Sequence, residues 1–170
     1  MPESPPDGSK SPPDGSKSLD DYARALADAI EAAIPAWVTG SVKRVMAGQS
    51  ATMTLEIRRA ADAAASEAQA TTGAAIRALL ARDIDDQPST PLTILRKAVS
   101  SPTRVLQAAG MSPVRRDRFA ERAFPDDVYD LTPASLADID PGLTDLGISW
   151  GAAKAFEHKR RHGRPAASPH

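Results

Sequence analysis

The sequence predicts an all-α protein, with long antiparallel helices followed by a compact set of short helices behind an N-terminal tail. Three observations predict it. Apolar residues recur every three to four positions through the first half. Ser/Thr-Pro pairs punctuate the second half, each placing a capping hydroxyl before a proline at a helix start. The one extended candidate, residues 128–131, is too short to build a sheet.

Residues 1–18 read as a disordered tail. The heptapeptide Pro-Pro-Asp-Gly-Ser-Lys-Ser stands at 5–11 and again at 12–18, in a polar tract with too little apolar surface to offset chain entropy. Its Gly-Ser-Lys-Ser pieces lack the Gly-x-x-x-x-Gly-Lys spacing of a phosphate loop. Order begins at Ser18, which with Asp21 forms a capping-box-like start. Tyr22, Leu26, Ile30 and Ile34 then make an apolar stripe. Pro35 is expected to end or kink this helix and to open a second one, with Trp37, Val38, Val42, Val45 and Met46 on its buried face and Gly48 as its stop.

The third and longest helix is expected over 52–82, with Met53, Ile57, Ala60, Ala64, Ala68, Ala75 and Leu79 on one stripe. Its centre is nearly all small residues, and Thr71-Thr72-Gly73 is where a bend is expected. A polar connection follows over 83–89. Thr90-Pro91, Ser101-Pro102, Ser112-Pro113 and Thr132-Pro133 then predict short helices at 91–99, 102–109, 113–124 and 133–139, with Gly110 as a C′ residue. Ser149 is expected to cap a last helix running to His162. The ordered part is therefore 19–163, a long-helix half at 19–85 and a short-helix half at 90–163, with a second disordered tail at 164–170.

Composition narrows the function. Aromatic residues make up 4% of the chain, and the 41% apolar fraction is largely alanine, so the core must rely on close helix approach. The absence of cysteine excludes disulfides, thiolate nucleophiles and Cys-ligated zinc, and fits a cytoplasmic address. No leader pattern opens the sequence, and no stretch of about 18 uncharged apolar residues could span a membrane. All three histidines fall in the last 13 residues, and neither a nucleophile-elbow nor a dinucleotide motif occurs. The reading is non-enzymatic, without cofactor. His158 and His162 have metal-ligand spacing, but Lys159, Arg160 and Arg161 crowd them and no third ligand is local, so no metal is expected. Asp126, Asp127 and Asp130 lack the glycine and glutamate of a calcium loop and read as caps or salt-bridge partners.

The net charge of −1 hides strong blocks. Residues 1–95 carry nine basic against thirteen acidic groups, and 96–122 carry seven against two. Residues 126–145 hold six aspartates and no Lys or Arg, while 154–164 carry five basic groups against Glu157. Such blocks either pair internally or recruit charged partners. Two clusters are the expected partner-binding residues: Arg115, Arg116 and Arg118, and Lys159, Arg160 and Arg161. The partner expected is a protein. The alternative is a weak nucleic-acid association through the same clusters, disfavoured by a pI near 6.3. The Ala60, Ala64, Ala68 seam is the expected self-association surface, as in a homodimer.

Two segments, Ala-Phe-Pro-Asp-Asp-Val-Tyr-Asp-Leu-Thr-Pro at 123–133 and Trp-Gly-Ala-Ala-Lys-Ala at 150–155, carry a resemblance. Over about residues 90–157 the chain resembles a group of small proteins of high-GC actinobacteria. That resemblance implies an origin and a compartment, and no activity.

Overall fold

The computed structural model describes residues 17–82, 91–113 and 128–163. These form an all-α structure: α1 (Leu19–Gly48), α2 (Leu55–Leu80), α3 (Pro91–Ala98), α4 (Ser100–Ala108), a 3-10 turn (Leu136–Asp138) and α5 (Leu143–His162). No strand occurs among the described residues. The expected tails, the 83–89 connection and the 113–124 helix, save Pro113 and the tail's last two residues, lie outside them.

α1 starts where its local chemistry dictates. The Asp21 N–H donates to Ser18 Oγ at 3.2 Å, and the Ser18 N–H donates back to the Asp21 carboxylate at 2.9 Å. The Ser18 hydroxyl, donating to the same carboxylate at 2.7 Å, and the Ser18 N–H hold the Asp21 carboxyl below its usual range. The helix does not end at Pro35. It continues as one 30-residue helix, so the expected helix pair is corrected to a single element.

The reason lies 34 residues away. Proline has no N–H to give to the carbonyl four residues back, and its ring crowds that carbonyl. The carbonyl belongs to Glu31, and the Gln69 side-chain amide on α2 donates to it at 3.2 Å. A side chain of the neighbouring helix thus replaces the missing backbone donor.

The same neighbour explains Gly73. The expected bend is absent, and α2 runs through Thr71–Gly73 unbroken. A Cβ at residue 73 would lie 2.8 Å from Glu31 Cγ and Cδ, so glycine is there to let the Glu31 side chain cross α2. Beyond it, Glu31 Oε2 accepts from Arg77 Nε at 2.9 Å and Nη2 at 2.6 Å, while Arg77 Nη1 reaches Asp28 at 2.6 Å. Asp28, Glu31, Gln69 and Arg77 form a polar clasp along one edge of the α1–α2 hairpin.

Inside that edge the two helices share one core. Leu26, Ile30, Ile34, Val38 and Val42 of α1 are buried with Ala61, Ala64, Ala65, Ala68 and Ile76 of α2. This corrects the self-association reading. Ala64 and Ala68 are 9% and 2% exposed because α1 of the same chain covers them, while Ala60 is exposed and off the buried stripe. The stripe runs one position later than expected at its start, through Ala61. Thr54, whose Oγ1 accepts from the Ile57 N–H at 3.2 Å, sets the start of α2.

Two helices end in the same motif with different residues. Gly110 (φ +73°) is the C′ residue of α4, as expected, with Met111 N–H donating to Leu106 O and Gly110 N–H to Gln107 O, both at 3.0 Å. α1 closes identically: Ala51 N–H donates to Met46 O at 2.9 Å and Ser50 N–H to Ala47 O at 3.0 Å, but the left-handed residue is Ser50 (φ +54°). A left-handed non-glycine costs roughly 1–2 kcal/mol. Ser50→Gly should therefore raise stability by about 1 kcal/mol, read as a higher urea midpoint at unchanged slope. An unchanged midpoint would show that Ser50 is unstrained.

Three expected caps are corrected. Ser101 lies buried within α4, because α4 begins at Ser100 with only Val99 separating it from α3; Pro102 still falls in the first turn, where a missing N–H is tolerated. Thr132 does not start the next element. The 3-10 turn begins three residues later, where the Asp138 carboxylate accepts from Ala134 N–H, Ser135 N–H and the Ser135 hydroxyl. Ser149 sits inside α5, which begins six residues earlier, at Leu143. α5 packs chiefly on α1. Tyr129, buried, donates its hydroxyl to Met111 O at 3.0 Å and pins the chain after 128 to the end of α4.

Candidate interaction surface on the last helix

α5 is anchored by Leu143 and Ala153, which are buried, with Leu146 and Trp150 half-buried against the core. Its last two turns extend beyond that support. They carry the described half of the predicted partner-binding set, Lys159, Arg160 and Arg161, all exposed. Arg115, Arg116 and Arg118 lie outside the described residues.

Glu157 organises this end. Its carboxylate accepts from Arg160 Nε at 2.8 Å and Nη2 at 2.6 Å, a two-point contact, and from Arg161 Nε at 3.3 Å. The Arg160 bonds, followed by those of Arg161, pull the Glu157 carboxyl down from 4.5 to about 2. A carboxyl lowered on folding contributes stability that is complete above its ordinary value and disappears as pH falls through the folded one. The stabilisation that this pairing adds should therefore be nearly complete at pH 5 and fade between about pH 4.5 and 2. The ¹³C shift of the Glu157 carboxyl should titrate near 2; a midpoint near 4.5 would show that the arginines do not hold it.

One acid partner of both arginines is thus on their own helix. Among the described residues, no aspartate of the 126–145 block pairs with them. Lys159 makes no ion pair among the described residues. The rings of His158 and His162 lie 4.6 Å apart, tilted, on the same helix end.

An open cleft of about 500 Å³ separates this end from the start of α1. Phe156, Arg160 and Arg161 line one side, and Lys17, Asp20 and Tyr22 the other. Phe156 is 53% exposed, and the Lys17 ammonium stands 6.0 Å from the centre of the Tyr22 ring. The arrangement can therefore offer an apolar ring, guanidinium donors and an ammonium to one ligand. Phe156 reads from sequence as a core anchor, and its exposure at the cleft corrects that expectation.

A second apolar feature lies nearer the start of α5. Ile148, 66% exposed, borders a shallow groove of about 400 Å³ whose walls are Leu92, Leu136 and Trp150. The sequence signal for it is an isoleucine off the buried stripe of its helix. No helix among the described residues is long and apolar enough to cross a membrane. Comparison of the chain with family models, curated proteins and solved structures returns no match.

Proposed function

We propose that the protein is a non-enzymatic helical interaction protein that holds a partner protein through the end of α5. One observation carries the reading: a half-open phenylalanine, Phe156, beside Arg160 and Arg161 on an open cleft. Aromatic and arginine side chains are the residue types that anchor protein contacts. Arg160 commits two of its five N–H donors to Glu157, which leaves donors for a second acid. The chemistry fits an acidic segment that also carries one apolar side chain. The lack of cysteine supports a cytoplasmic setting for this contact.

The test is capture from an extract of the encoding organism with the full chain as bait, run beside Phe156→Ala, Arg160→Glu and Leu55→Ser. Leu55 is exposed at the start of α2, away from the cleft. A protein held by the parent and by Leu55→Ser, but lost with both α5 variants, supports the reading. Retention by all four chains would sink it. A gel shift with duplex DNA and single-stranded RNA covers the nucleic-acid alternative, since phosphate binding must fall steeply between low and physiological salt.

A further inference from the structure

We propose that the apolar groove between the 3-10 turn and α5 is a docking site for a basic amphipathic helix of a partner protein. This surface is separate from the cleft at the end of α5, about 12 Å further along the helix by the rise between residues 148 and 156.

The groove is built to stay open. Gly147 lies against Leu136, where a Cβ would collide with the leucine side chain, so the turn and the helix approach closely at that one point. Leu136 and Trp150 then flank a trough, and Ile148 projects from its edge into solvent. A lone exposed isoleucine needs no explanation, but an isoleucine continuous with a trough of leucine and tryptophan is a patch of the kind that marks a contact site. A helix laid in such a groove would present apolar anchors at i, i+3 or i+4, and i+7.

Charge selects the occupant. The Asp138 carboxylate is fixed at the groove's edge by N–H bonds of 2.7 and 2.8 Å from Ser135 and Ala134, both of which line it. Those bonds keep Asp138 ionised well below the usual carboxylate range. Asp145 stands three residues before Ile148 on α5, on the neighbouring helix position. No Lys or Arg among the described residues pairs with either. Lys154 stands over the Trp150 ring, its ammonium 5.5 Å from the ring centre. An occupant therefore needs apolar anchors on one face and lysines or arginines beside them, placed toward Asp138 and Asp145.

The experiment uses the full chain and an 18-residue amphipathic helix of leucine and lysine as probe. Trp37 is buried, so a change in tryptophan emission on binding reports Trp150. The expected result is a saturable blue shift, weakened at least tenfold by Ile148→Glu and by Asp145→Lys, and unchanged by Leu55→Glu. Ile148 and Asp145 are both exposed, so circular dichroism should show both variants as helical as the parent. A leucine–glutamate helix of equal length should bind at least tenfold more weakly. Equal binding of the two peptides, or binding indifferent to Ile148→Glu, overturns the proposal. So does a concentration-dependent rise in mass without peptide that Ile148→Glu abolishes, since the occupant is then a second copy. The Phe156 and Arg160 variants should leave peptide binding intact, which separates this outcome from that of the α5 cleft.

Discussion

Replacing Pro35 by alanine should stabilise the protein by about 1–3 kcal/mol, and should also make Gln69 dispensable. Proline inside a helix removes one backbone bond and strains the turn before it. In the parent chain the Glu31 carbonyl depends on the Gln69 amide instead. Removing that amide by Gln69→Ala leaves a partly buried acceptor unmet and should cost about 1 kcal/mol or more. With alanine at 35 the backbone N–H returns, and the same Gln69→Ala change should cost much less. The measurement is a double-mutant cycle by urea unfolding. Strict additivity, within about 0.5 kcal/mol, would mean that the amide and the proline are unrelated.

That pair also shows what the sequence could and could not display. Where a signal and its effect lie within a few residues of each other, the reading succeeded: Ser18 with Asp21, and Gly110 after α4. Pro35 was legible as a disruption, but its remedy sits on another helix, and nothing near Pro35 points to Gln69. Gly73 was legible as a weak spot for the same local reason. Its role depends on a glutamate 42 positions earlier that must cross α2. Ser101 and Ser149 fit the cap pattern, yet each helix found an earlier start, and a serine followed by helix formers cannot by itself say that it is first.

The site divides along the same line. Lys159, Arg160 and Arg161 are visible in the sequence as a basic cluster, with Glu157 as a single charge against them. The i, i+3 and i, i+4 spacing that makes it their partner is local and could have been used. The exposure of Phe156 and Ile148 was less accessible. It depends on which elements of the fold leave those positions uncovered.

The alanine seam gives the largest expected effect. Ala68→Arg should destabilise the chain by roughly 3 kcal/mol or more, because it forces an unpaired charge and a long side chain into a core with no room for either. Ala60→Arg, eight residues earlier on the same helix, should change stability by less than about 0.5 kcal/mol, since residue 60 is exposed. An all-small helix gives no large residue to mark which face is buried, so from sequence the two alanines look alike. The fold separates them: α1 closes over Ala61, Ala65 and Ala68 and leaves Ala60 outside. Thermal unfolding followed by circular dichroism, together with mass by light scattering, reads both consequences. If Ala68→Arg instead keeps the parent's melting temperature and halves its mass in solution, the seam joins two chains rather than two helices of one. A lowered melting temperature without a halving of mass is the result that the hairpin requires.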